Sequence, residues 1–262
     1  MTRIFLVDAF TDSPFSGNPA AVCPLHGEWE DVRMQKLAAE LHAPETAFFY
    51  PQGDHYILRW FSPRMEVELC GHATLAAAHV IWEQGVALLN RLLRFFSRSG
   101  LLSAWKENEW ITLDFPAEPS VVADPPPGLA EALGAVPAWV GKNRFDYLGV
   151  FESADEVKSL RPDFSRLARI PARGVIVTAP GTGQGQDFVS RFFAPALGID
   201  EDQVTGSAHC ALGPYWSSRL HKDVLVGFQA SERGGTVRVS VLGERVAIAG
   251  QAVTVMCGDL CM

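Results

Sequence analysis

A pentapeptide that occurs twice does most to limit what this chain can fold into. Arg59-Trp60-Phe61-Ser62-Pro63 in the first half matches Arg191-Phe192-Phe193-Ala194-Pro195 in the second. Each copy runs into a small-residue turn that opens an apolar helix, Cys70-Gly71-His72-Ala73-Thr74 in one case and Thr205-Gly206-Ser207-Ala208-His209 in the other. A strand, turn and helix start used twice implies two similar folding units. Arg to Gly spans 12 positions in the first copy and 15 in the second, so three residues are inserted ahead of the second turn. A helix start presents N–H groups without intrahelical partners and a partial positive charge, which makes each turn a candidate site for a carboxylate or an enolate-like oxygen.

Length agrees with the repeat, since 262 residues correspond to about two average domains. The Pro-rich stretch 116–127 reads as the linker, giving an N-terminal lobe over 1–116 and a C-terminal lobe over 117–262, with the last strand open to packing on the first lobe. No apolar run reaches the length that crosses a bilayer, and Leu75 to Trp82, the longest, reads as a buried helix. The N-terminus enters a strand pattern at once, without the regions of a signal peptide, so the cytoplasm is the expected location. A net charge of −8 disfavours nucleic acid, which leaves a small molecule as the expected partner. Five cysteines, an odd number without regular spacing, argue against a disulfide framework and read as packing residues.

Periodicity predicts helices over Asp31 to Leu41, where His42-Ala43-Pro44 stops the turn, over His72 to Gln84, ended by Gly85, and over Gly206 to Leu220. Shorter helices are expected at Leu129 to Leu133 and Ala154 to Leu160. Strands are expected at Ile4 to Val7, Ala20 to Cys23, Glu45 to Tyr50, Tyr56 to Phe61, Phe145 to Phe151, Val175 to Thr178, Phe188 to Phe192, Val237 to Val241 and Val246 to Val255, and 92–115 is strand-like throughout. The glycine-rich 181–185 stretch has the look of a dinucleotide loop, but a strand and not a helix follows it, so it reads as a hairpin turn. Short strands around two apolar helices suggest α+β lobes with mostly antiparallel sheets.

Several residues could carry chemistry. Glu45 follows a helix-breaking proline and precedes Ala47-Phe48-Phe49, a setting poor in groups that solvate charge, which suits a general acid or base; the plain alternative is a strand-edge glutamate facing water. His72 at the first helix start could exchange a proton or simply cap or pack. His79 lies seven residues on and nearly on the same face, but the pair lacks the His-Glu-x-x-His spacing and no third ligand is near in sequence, so no metal is expected. Cys257 and Cys261 form another isolated pair, read as terminal packing. Asp202 and Ser207 flank the second turn, where each alone would read as a cap. Cys70, at a turn ahead of a helix, has the setting of a reactive thiol, yet Thr205 holds its place in the other copy. Ser207 as a hydrolase nucleophile lacks the second glycine of a nucleophile elbow.

At these positions the chain resembles the phenazine-biosynthesis PhzF-like isomerases, a family related in fold to diaminopimelate epimerase. The matching segments are Asp8-Ala9-Phe10-Thr11, Gly17 to Val22, Glu45-Thr46-Ala47-Phe48, Arg59 to Phe61, Glu66 to Thr74, Ser190 to Pro195, Glu201 to His209 and Arg233-Gly234-Gly235. The resemblance implies two similar lobes, each a β-sheet curled around a central helix, with the active site in the cleft between them, catalysis without metal or organic cofactor, and a homodimer. It implies that Glu45 shuttles the proton, that His72 and Asp202 assist, and that Asn18, Gly71, His72, Gly206 and Ser207 hold a substrate carboxylate. Two thiols move the proton in the related epimerase; Cys70 alone remains of that pair here. Departures are visible at Pro44, where the family usually has Ser, and at Gln203, where it usually has Pro. Two other readings compete: a non-catalytic binding protein on the same fold, and a thiol-dependent racemase using Cys70.

Overall fold

The computed structural model describes residues 2–183 and 185–261, and the chain divides into two compact units, Met1–Asp114 with Ala249–Met262, and Phe115–Ile248.

In the first unit, β1 (Arg3–Ala9) pairs antiparallel with β2 (Asn18–Pro24). Gly17 enters β2 at φ +67°, and a Cβ there would lie 2.2 Å from the Ala9 carbonyl oxygen, so only glycine lets the chain close onto β1. The helix α1 (Asp31–Leu41) buries Met34, Leu37 and Ala38 against Ile4, Cys23, Leu25, Phe48 and Phe61. It stops at His42, which takes a left-handed conformation two residues before Pro44. The next strand, β3 (Glu45–Gln52), runs parallel to β2 with Glu45 opposite Ala20, and antiparallel to β4 (His55–Phe61). Two residues of strand, β5 (Glu66–Val67), then fold back on β4 and lead into α2 (Gly71–Glu83). This helix is apolar on every side, as a helix wrapped by its own sheet must be, and it packs on β1, β2 and β3. A meander of β6 (Leu93–Ser97), β7 (Gly100–Glu107) and β8 (Trp110–Pro116) follows, with β6 parallel to β4. The terminal strand, Ala252–Asp259, belongs to this unit and pairs antiparallel with β1.

The second unit repeats the plan. Its elements are β9 (Val121–Val122), α3 (Leu129–Leu133), β10 (Trp139–Lys142), β11 (Asp146–Val150), α4 (Ala154–Ser159), α5 (Phe164–Leu167), β12 (Gly174–Pro180) and β13 (Phe188–Ala194). A 3-10 turn at Pro195–Leu197 precedes β14 (Ile199–Asp202), α6 (Gly206–Leu220), β15 (Val224–Gln229), β16 (Gly235–Leu242) and β17 (Arg245–Gly250). β11 and β12 are parallel, as are β13 and β15, and α6 packs on β15 and β16. Buried side chains of α3, α4 and α5 join Val175, Val177, Val189 and Phe193 in one core.

Both units are therefore sheets with a central helix, mixed in strand direction but mainly antiparallel. The hairpin reading of 181–185 agrees with the antiparallel pairing of β12 and β13; Gln184 lies outside the described residues. Other expectations need correction. The Pro-rich 116–127 stretch is no bare linker, because β9 lies within it and pairs with β10. The strand expected over 246–255 is two strands, interrupted at Gln251, whose carbonyl accepts from the Phe10 and Thr11 backbone N–H groups. β5, β10, β14, β15 and α5 were not anticipated; all are short or lack flanking turn residues. Among the described residues, no helix is long and apolar enough to cross a membrane.

Candidate active site

In each unit the repeated pentapeptide builds a clamp. Arg59 on β4 makes a two-pronged bond to Glu66 on β5, Nε to Oε1 and Nη2 to Oε2, each 2.8 Å. Arg191 on β13 does the same with Glu201 on β14 at 2.7 and 2.8 Å. Each guanidinium also lies over the phenylalanine two residues on, Phe61 at 5.2 Å and Phe193 at 4.9 Å. Glu66 and Glu201 both stand four residues before the residue that opens the helix, Cys70 and Thr205. The three inserted residues thus fall between Arg and Glu, at the 3-10 turn, and leave the spacing from clamp to helix start unchanged.

The helix starts share their backbone. Cys70 and Thr205 are extended N-caps, and neither makes a side-chain cap hydrogen bond. A helix start of this kind presents first-turn N–H groups to an anion.

Around the first turn the fold gathers three ionisable side chains. The parallel register of β2 and β3 sets Glu45 at the start of β3, and its Oε2 lies 3.2 Å from His72 Nε2, with side-chain exposures of 12% and 7%. Cys70 Sγ lies 3.5 Å from His72 Nδ1 and 4.0 Å from Nε2. Donor atoms of Glu45, Cys70 and His72 all fall within 4.8 Å of one another. Burial alone would lower the His72 imidazole; the adjoining Cys70 sulfur and Glu45 carboxylate outweigh it and hold the ring well above its ordinary value of 6.5. The Cys70 thiol is pushed up by its own burial and by Glu45, against the facing His72 ring, which draws it down. His72 therefore pairs with Glu45 and not with His79. The latter lies 3.2 Å from Thr254 Oγ1 and 3.6 Å from Glu83, tying α2 to the terminal strand. Asn18 is fully buried at the start of β2, two residues from the partner of Glu45. Pro44 is exposed.

The second turn carries a different set. Asp202 Oδ2 accepts from the Thr205 hydroxyl, and Gln229, fully buried, accepts from the Thr205 N–H while its Nε2 donates to the Asp202 carbonyl and to Thr205 Oγ1. Ser207 is half-buried one residue inside the helix. His209, one turn along, bonds through Nδ1 to the Thr205 carbonyl at 2.8 Å, and burial pushes its ring down to about 4, so it is neutral and Nδ1 is the donor. Gln203, the second departure from the family pattern, holds the 231–233 loop: its Oε1 accepts from Arg233 N–H and its carbonyl from the Ser231 hydroxyl.

Glu45 and His72 thus meet beside Gly71 in the first unit, while in the second Asp202 bonds Thr205, next to Gly206 and Ser207 in the chain. Gln229 and the Arg–Glu clamps were missed by sequence reasoning, although the repeated Arg was visible. Cys257 and Cys261 are exposed, which corrects the packing expectation for them.

A family model described as phenazine biosynthesis-like protein, PhzC-PhzF, matches residues 7–258. An uncharacterized isomerase of Halalkalibacterium halodurans is 49% identical over 260 residues, covering 99% of this chain and 98% of that one. The crystal structure of a phenazine biosynthesis protein of the PhzF family from Enterococcus faecalis is 40% identical, with a TM-score of 0.96 over 100% of this chain and 99% of that one. A probable proline racemase from Agrobacterium radiobacter K84, 12% identical with a TM-score of 0.67, covers 100% of this chain and 93% of its own and shares the fold. By its sequence from end to end and by the architecture of both units, this chain belongs to the PhzC-PhzF family of phenazine biosynthesis-like proteins.

Proposed function

We propose that this protein is an isomerase that moves a proton on a small carboxylic acid, with Glu45 as the acid/base. The observation that carries the reading is the buried contact between Glu45 Oε2 and His72 Nε2, 3.2 Å long, at the start of a helix. A relative that is 49% identical bears the name isomerase. Glu45 takes a proton from a carbon next to the substrate carboxylate, and the electron pair left on carbon spreads onto oxygen as an enolate. Helix N–H groups stabilise that oxygen, and Glu45 returns the proton to another carbon or face. The raised imidazole of His72 donates to the Glu45 carboxylate and keeps it aimed and ready to accept. Asp202 orients the second helix start through Thr205, and Asn18, Gly71, Gly206 and Ser207 are substrate contacts in this reading. Electrons are conserved when a proton moves between carbons, so the reaction calls for no redox partner.

The test is a screen of small carboxylic acids in deuterated water, read by mass spectrometry and NMR for exchange or a shifted carbon-bound hydrogen. Glu45→Gln keeps shape but cannot carry a proton, and should cut turnover by ~10²–10⁴-fold while substrate still binds. Full activity of that variant would overturn the assignment.

A further inference from the structure

We propose that Glu45, Cys70 and His72 form a three-ligand site for a thiophilic divalent cation of the Zn²⁺ class, and that a bound ion blocks proton transfer by Glu45. The second half rests on the functional reading above; the first stands without it.

The three donors are a sulfur, an imidazole nitrogen and a carboxylate oxygen, the mixture that borderline ions select and that Mg²⁺ or Ca²⁺ do not. All three donors lie within 4.8 Å of one another. A tetrahedral zinc with bonds of about 2.3 Å to sulfur and about 2.0–2.1 Å to nitrogen and oxygen spaces sulfur and nitrogen about 3.6 Å apart and nitrogen and oxygen about 3.4 Å apart. Here His72 Nε2 to Glu45 Oε2 is 3.2 Å, while Cys70 Sγ lies 4.0 Å from Nε2 and 3.5 Å from Nδ1, beside the ring, so the imidazole has to turn to aim Nε2 at an ion shared with the sulfur. The backbone that carries the three ligands is held in place: Cys70 and His72 sit on one helix start behind the Arg59–Glu66 clamp, and strand register places Glu45. Three protein ligands leave a fourth position open to water or a carboxylate.

Binding is written without a redox step: the Cys70 thiol gives up its proton to solvent, and sulfur, imidazole and carboxylate each donate a lone pair to the ion. The carboxylate oxygen and imidazole nitrogen that handle the proton are then occupied. Exposed Cys257 and Cys261 are the competing metal-binding groups, and replacing them separates the two possibilities.

Full-length protein would be titrated with Co²⁺ as a spectroscopic stand-in, followed by displacement with Zn²⁺ and elemental analysis. One equivalent is expected, with a sulfur-to-cobalt charge-transfer band in the near ultraviolet, in both the wild type and the Cys257→Ser/Cys261→Ser variant. Cys70→Ser should lose the band, and Glu45→Gln should weaken binding at least tenfold while keeping the sulfur signal. No band in the wild type, a band that survives Cys70→Ser, or one lost with the terminal cysteines would overturn the site. Proton exchange should fall with Zn²⁺ occupancy and return on adding EDTA; a loaded protein with unchanged exchange would overturn the blocking role. Absence of exchange in metal-free protein would instead sink the functional reading and leave the site standing.

Discussion

The two copies of the repeat keep the same frame and carry opposite chemistry. Trp60 lies opposite Val67 in the first copy and Phe192 opposite Asp202 in the second, so the strand register is shared while an apolar residue in one stands where an acid stands in the other. The reverse holds one strand over. Thr46 pairs with Phe61 and Val175 with Phe193, which makes Gly174 the counterpart of Glu45. A Cβ at Gly174 would lie 2.5 Å from the tip of the Phe192 ring. The second copy has filled with an aromatic ring the space next to the position where the first carries its acid. Thr74 and His209 each bond back to the cap carbonyl four residues earlier, one through a hydroxyl and one through a ring nitrogen. What the duplication preserves is the Arg–Glu clamp and the helix start, the parts that set backbone; what has diverged is every side chain able to move a proton.

The comparison can be broken most sharply at the clamps. Arg191→Met strands Glu201 in a half-buried site and also frees the Val157 and Leu160 carbonyls that Arg191 serves, so a loss of ~3–5 kcal/mol is expected in urea unfolding. Arg59→Met leaves Glu66 with Arg98, 2.7 Å away, and should cost about 1.5–3 kcal/mol. Equal losses would show that the clamps are not used differently.

Histidines at the two helix starts should separate in their pH dependence. His209 is depressed in the folded protein, so its contribution is full above about 6.5, its ordinary value, and is lost as pH falls toward about 4, by on the order of 3 kcal/mol. His72 is raised, so its contribution is full below the ordinary value and is lost as pH rises through the raised one. The difference between unfolding curves of wild type and His209→Gln at a series of pH values should show the acid-side loss, and a flat difference would refute the buried neutral ring.

Gly174→Ala should destabilise by about 1–3 kcal/mol through overpacking on Phe192, read as a lower thermal midpoint. An unchanged midpoint would mean that the second copy could have held a side chain there. The smallest effect is expected from Gln203→Ala, about 1 kcal/mol in urea unfolding for the lost bond to the Arg233 N–H. The first unit's corresponding residue, Glu68, one past Val67, is exposed. Glu68→Ala should therefore leave the midpoint where it is, and matching losses at the two positions would erase this difference between the copies.

Residues close together in the chain determined much of this protein by themselves. The helices at Asp31–Leu41, Gly71–Glu83 and Gly206–Leu220 follow from apolar periodicity and from the turn residues that bound them, because a helix is made of contacts three and four residues apart. The duplicated Arg and glycine turn announced two similar units and pointed to both helix starts. Only the tertiary structure decided that His72 faces Glu45 and Cys70, since 27 residues separate His72 from Glu45 and the contact depends on β2 and β3 running parallel with Ala20 opposite Glu45. It also decided that the last strand joins β1 from the far end of the chain and that Gln229 reaches the turn at Thr205. Such pairings are chosen by burial and hydrogen-bond satisfaction across the whole fold, and local sequence carries no record of them.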